Sequence, residues 1–165
     1  DYFRANPIGE AVVVAPDIGA SRRARNFAED LDLPLAIIEK RRHADGSGTR
    51  QLNLIGQVDN CNAIIFDDEI DTGGTIRQAA EFIRARGALD VYACATHALL
   101  SPPLGVKNMQ EAGLKELVVT NTVYISPEKQ QALQPFLQVL SVADLLAEGI
   151  HRIHLGISVG EMFNE

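Results

Sequence analysis

The sequence predicts an α/β fold, a doubly wound, mostly parallel sheet of about five strands flanked by helices. Two observations carry that expectation. Short apolar runs recur: AVVVA at 11–15, PLAII at 34–38, AIIF at 63–66, VYACA at 91–95 and LVVT at 117–120. Runs this short, rich in Val and Ile and without polar alternation, suit strands buried on both faces. Helical periodicity fills the intervals, and such alternation of strand and helix builds a parallel sheet.

Taken in order, AVVVA leads into the turn PDIGA and then a helix, with Ala24, Phe27, Ala28 and Leu31 on one face. PLAII runs into the basic group Lys40, Arg41, Arg42, followed by the polar, glycine-bearing stretch 41–53, which reads as a long mobile loop. AIIF runs into four acids and a Thr-Gly-Gly-Thr turn, and the next helix buries Ile76, Ala79, Ala80 and Ile83. After VYACA comes SPPLGVKN at 101–108, a proline-rich turn leading to a short helix. Beyond LVVT, Val142, Leu145, Leu146, Ile150 and Ile153 form a last helical stripe, with Ser141 and Asp144 spaced as a capping box.

The chain has 165 residues, 46% apolar and 22% charged, which suits one domain over 1–165 with a sizeable core. Its formal charge of −7 argues against a nucleic-acid wrapper or an anionic-membrane binder. Cys61 and Cys94 lack metal-type spacing and sit in or beside apolar runs, so two buried thiols in a reducing compartment are expected. No apolar run approaches the roughly 18 residues of a membrane span. The opening DYFRANPIGE has no signal-peptide layout, so a cytoplasmic protein is expected. Because the chain begins with Asp1 rather than Met, it reads as a fragment of something longer.

In an open α/β sheet, ligands bind beyond the carboxyl ends of the strands. The clusters at 16–19, 40–42 and 67–75 each follow a strand, so the fold gathers them on one rim. In the last, Gly73 and Gly74 permit a tight turn whose N–H groups point at an anion, and the helix that follows adds its positive end. Thr72 and Thr75 add hydroxyl donors. Asp67, Asp68, Glu69 and Asp71 lie farther along a ligand, where they accept from hydroxyls or face a hard cation. A sugar phosphate satisfies both halves.

Familiar loop motifs fit this acidic stretch less well. An EF-hand counted from Asp67 needs Gly and Glu where Thr72 and Gln78 stand. The P-loop and Gly-x-Gly-x-x-Gly patterns are absent. A helix-capping acidic turn needs one acid, not four. Lys40, Arg41 and Arg42 read singly as a solvated turn, but beside a mobile loop and a phosphate site they suit phosphoryl or pyrophosphoryl transfer. Asp17 alone is an ordinary turn residue or a metal or hydroxyl ligand. His151 and His154 read as surface positions, since no third zinc ligand is visible.

IIFDDEIDTGGT resembles the phosphoribosyl diphosphate loop of proteins with the type I phosphoribosyltransferase fold. With VVVAPDIGASRRAR, PLAIIEKRR, VYACATHALLS, KELVVTNT and LSVADLLAEGIHRIHLGISVGEMF, the chain resembles the carboxyl-terminal half of the ribose-phosphate pyrophosphokinase family over nearly its whole length. That resemblance implies transfer of the pyrophosphoryl group of Mg-ATP to the anomeric hydroxyl of ribose 5-phosphate, giving phosphoribosyl diphosphate and AMP. It implies that Asp71, Thr72, Gly73, Gly74 and Thr75 bind the 5-phosphate and that Asp67 and Asp68 hold the ribose hydroxyls. Lys40 and Arg42 would be the catalytic cations, Asp17 would help position Mg2+, and a homo-oligomer, dimer or higher, is implied too.

The chain departs from the family where HADGSGTRQLNLIG replaces a proline-bearing, acid-rich loop of slightly shorter length, and where Pro102 and Pro103 follow Ser101 in place of Gly. The family's amino-terminal half, which supplies much of the adenine site and a metal-binding histidine, is absent. This leaves two alternatives in view, a stand-alone phosphoribosyltransferase and a non-catalytic synthase-associated subunit. The short segment before the first strand opposes the former, and retention of Lys40, Arg42, Asp67 and Asp68 opposes the latter.

Overall fold

The five apolar runs form the middle of a seven-stranded sheet. The structure is a computed structural model describing the backbone of residues 2–42 and 50–163, with the side chains of Arg41, Arg42, Arg50 and Gln51 outside that description. Along the chain lie α1 (Tyr2–Ala5), β1 (Ala11–Ala15), α2 (Ser21–Leu31), β2 (Leu35–Arg42), β3 (Arg50–Ile55), β4 (Asn62–Ile70) and α3 (Gly74–Arg84). Then come β5 (Val91–Ala98), α4 (Gly105–Glu111), β6 (Glu116–Thr120), α5 (Pro127–Ala132), β7 (Leu137–Leu140), α6 (Ala143–Leu155) and a 3-10 turn at Gly160–Phe163. The strands lie side by side in the order β3-β2-β1-β4-β5-β6-β7, and every pairing is parallel except β2 with β3.

Strand alternation divides the core into two layers. Val12, Val14, Ile65, Ala93, Leu117 and Val119 face one side, packed with Ile76 and Ile83 of α3, Met109 of α4 and Leu133 at the C-cap of α5. Val13 and Ala15 face the other, under Ala24 and Ala28 of α2, while Ile64, Tyr92 and Val118 pack with Phe3 of α1. Ile76 and Ile83 are almost wholly buried. Each contributes about 1.5–3 kcal/mol, which secures an 11-residue helix too short to stand alone.

The structure adds to the sequence expectation at both edges. Residues 41–42 and 50–53, read as loop, are strand: Arg42 pairs with Arg50 and Ile37 with Ile55 across an antiparallel ladder. Leu52 and Leu54 pack against the core, so the alternation in QLNL is a strand signal beneath a polar composition. Residues 43–49, the rest of that expected mobile loop, lie outside the described residues. At the opposite edge the four residues of β7 extend the parallel sheet.

The last stripe forms its helix but not a buried face. α6 buries no residue, and Leu145, Leu146, Ile150 and Ile153 are 50–70% exposed. Periodicity reports an amphipathic helix without saying what covers it. The capping box is not formed among the described residues: the N-cap is Val142, without a side-chain cap bond, and Ser141 Oγ accepts the Ala143 amide at 3.2 Å. Cys94 is buried as expected, whereas Cys61 is half-buried. His151 and His154 are exposed. Among the described residues no helix is long and apolar enough to cross a membrane.

Candidate functional site

Strand order creates the site. From β1 the chain moves to β2 on one side, and from β4 to β5 on the other, so the loops after β1 and β4 diverge and leave a crevice. Asp17 lies in the loop after β1, Lys40 lies on β2, and Asp67 and Asp68 lie near the end of β4. The structure brings these together. Lys40 Nζ is 3.9 Å from Asp17 Oδ2, and the Asp17 charge acts on Asp67. Asp17 also keeps its turn role, since its Oδ1 accepts the Ala20 amide at 3.1 Å. Arg42 has its backbone in β2, but its side chain lies outside the described residues.

The two adjacent acids differ sharply. The Asp68 amide donates to Asp67 Oδ1 at 3.0 Å, and Arg23 of α2 reaches Asp68 Oδ1 at 2.9 Å. Burial pushes Asp67 up to about 6; its hydrogen bond with Asp68 and the charges of Asp68 and Asp17 push the same way, against the backbone bond. Partial burial alone would raise Asp68, but its bonds with Asp67 and with backbone amides, together with the Arg23 charge, hold it below the usual carboxylate range. One acid stays ionised while its neighbour titrates near neutrality. The sequence carries no signal for Arg23 beyond a basic helix face.

Past the acids the chain turns into α3 around a cavity of about 130 Å3, lined by Asp67, Asp71, Thr72, Gly73, Gly74 and Thr75 among others. That volume is roughly four waters' share of liquid, room for a phosphate-sized group. Gly73 is the N-cap, at φ +73° and without a side-chain cap bond. That backbone conformation favours glycine, and a Cβ there would also stand 2.6 Å from Met109 Cε. Gly74, read from sequence as a partner in that freedom, is an ordinary helical residue with no atom closer than 3.9 Å to a built Cβ. The amides of Thr72, Gly73, Gly74 and Thr75 have no hydrogen-bond acceptor among the described residues. A larger hollow of about 180 Å3 lies over the other face of the sheet against Phe27, Phe66 and Cys94. Its walls carry no charged side chain.

A family model described as a phosphoribosyl synthetase-associated domain matches residues 47–164, well over half of the chain. The chain belongs to that family. The chain is 49% identical over 165 residues to a ribose-phosphate pyrophosphokinase of Synechococcus elongatus, covering 99% of this chain and 48% of that protein. It is 45% identical over 163 residues to a ribose-phosphate pyrophosphokinase of Gloeobacter violaceus, with 98% and 48% covered. The domain thus spans about half the length of the curated relatives it matches. Among solved structures it superposes on the phosphoribosylpyrophosphate synthetase of Mycobacterium smegmatis with a TM-score of 0.83 and 39% identity, over 94% of this chain and 49% of that one. APRTase from Giardia lamblia, with a TM-score of 0.53 and 15% identity over 72% of this chain and 71% of its own, shares the fold alone.

Proposed function

We propose that this chain is the sugar-phosphate half of a ribose-phosphate pyrophosphokinase. The observation that carries the reading is the row of unpaired turn amides beneath two unlike acids, in a chain about half identical to pyrophosphokinases. Thr72, Gly73, Gly74 and Thr75 hold the 5-phosphate through backbone and hydroxyl donors, with Asp71 at the entry to the turn. Asp67 and Asp68 accept from the ribose hydroxyls and so orient the anomeric oxygen.

In the complete enzyme that oxygen attacks the β-phosphorus of ATP. The bond from the β-phosphorus to the oxygen shared with the α-phosphorus breaks, AMP leaves, and the hydroxyl proton is released to solvent. Lys40 and Arg42 neutralise charge gathering on the transferred group. Among the described residues no three His, Cys, Asp or Glu side chains gather into a metal cage. Mg2+ ordinarily takes one or two carboxylates and completes its shell from water and substrate phosphates. Asp17 is the carboxylate assigned to it, and the ion would supply charge neutralisation on the phosphates.

The same reading makes the working form a cytoplasmic homo-oligomer, supported by two free thiols and by the bare apolar stripe of α6. Isothermal titration with ribose 5-phosphate and Mg2+ tests the core of the proposal. Saturable binding is expected, with ribose lacking the phosphate binding far more weakly. Equal binding of both sugars, or none of either, overturns it.

A further inference from the structure

Three consecutive carbonyls of the phosphate turn are held from behind. Ile70 O accepts the amides of Leu99 at 3.0 Å and Leu100 at 3.1 Å, and Asp71 O accepts that of Ser101 at 3.0 Å. Thr72 O accepts a side chain instead, Asn108 Nδ2 of α4 at 2.8 Å. In a trans peptide the carbonyl of one residue and the N–H of the next point opposite ways. Anchoring these three oxygens against the body therefore aims the amides of Asp71, Thr72 and Gly73 outward.

Asn108 is the buried polar side chain of the described core, at 8% exposure. Its Oδ1 accepts from Arg77 Nη1 at 3.1 Å, and Arg77 is itself held by Glu111 at 2.5 Å. A guanidinium only donates and a carbonyl only accepts, so the orientation of the amide is fixed from both sides. The surroundings make the fit close. A Cβ on Gly73 would lie 3.3 Å from Asn108 Cβ, and one on Gly105 would lie 2.3 Å from the Leu100 carbonyl carbon. Glycine at 105 thus lets α4 approach near enough for a side chain as short as Asn to reach the turn.

We propose that Asn108 is a positioning residue for the phosphate turn, its amide setting the Thr72–Gly73 peptide so that the turn's N–H groups face the anion. It touches no ligand and acts through Thr72. The inference rests on the sugar-phosphate reading for its ligand but not for its geometry.

The test uses the full chain and Asn108→Asp, which keeps an acceptor for Arg77 and replaces the donor facing Thr72 O with a repelling oxygen. Asn108→Ser, uncharged and too short to reach, is made alongside, so that an unfolded Asp variant still leaves the question decided. Amide spectra without ligand should show the Thr72 and Gly73 resonances displaced well beyond those of β1. Ribose 5-phosphate affinity should fall at least tenfold in both variants, while the resonances of β1 stay put. A general loss of packing would displace the β1 resonances as well. Unmoved turn resonances, affinity within twofold of wild type, or β1 resonances displaced as far as those of the turn would overturn the proposal. If the wild-type chain binds no ribose 5-phosphate, the sugar-phosphate reading fails, and the resonances alone decide whether Asn108 sets the turn.

Discussion

Arg23 Nη2 lies 2.9 Å from Asp68 Oδ1, and that contact helps to make two neighbouring acids unlike. With its charge met by Arg23, Asp68 stays ionised, and its negative charge helps to raise Asp67. The pair is exposed enough that removing Arg23 would cost less than about 1 kcal/mol of stability. Its effect is on when the acids ionise.

That division sets a pH dependence. The Asp67 carboxyl titrates near 6 in the folded chain against 3.8 ordinarily, so the fold binds its proton more tightly than the unfolded chain does. The stability this contributes is complete below about pH 4 and is lost as pH rises through about 6. Asp67→Asn should therefore be more stable than wild type at pH 7, on the order of 1 kcal/mol after allowance for solvent screening at a half-buried site. The advantage should vanish near pH 3. Urea titrations across that range check it, and a constant difference between the two proteins would contradict the assignment.

The two glycines of the turn should behave differently. Gly73→Ala places a side chain at φ +73° and into Met109, so a loss of about 1–3 kcal/mol is expected, with ribose 5-phosphate binding lost as well. Gly74→Ala adds a methyl at ordinary van der Waals distance from Thr72 Oγ1 in the first turn of α3 and should leave stability within about 0.5 kcal/mol or raise it. Thermal melts of both variants separate the cases.

Asp17 carries two separable duties. Asp17→Asn retains an oxygen that can accept from the Ala20 amide, so the turn and fold should survive. The negative charge near Asp67 is removed, and the Asp67 midpoint should fall. If Asp17 also shares Mg2+, the enhancement of ribose 5-phosphate binding by Mg2+ should shrink by about tenfold or more. Carboxyl NMR titration reads the first effect and calorimetry with and without Mg2+ the second.

The central strands and the helices α2 and α3 are legible in the sequence because burial on two faces and a 3.6-residue stripe are local patterns. β3 and β7 are not, being short edge strands whose half-buried sides dilute the apolar signal. Within the site, IIFDDEIDTGGT exposes its acids and its turn directly. Arg23 and Asn108 stay hidden, since each reaches the turn region through packing between elements distant in the chain: α2 against β4, and α4 against α3. That Gly73 rather than Gly74 takes positive φ follows from where α3 begins, which two adjacent glycines do not reveal.

The uncovered stripe of α6 has a thermodynamic consequence. Leu145, Leu146, Ile150 and Ile153 already meet water in the folded chain, so unwinding this helix transfers little fresh hydrocarbon into solvent. It therefore adds little to the heat-capacity increment or the denaturant slope of unfolding. Thirteen residues are marginal as a helix in water, and the pairs that Arg152 makes with Glu148 and Glu161 are surface ion pairs that add little to it. Left without a covering surface, α6 melts gradually and ahead of the sheet, and the far-ultraviolet signal begins to fall before the calorimetric transition begins.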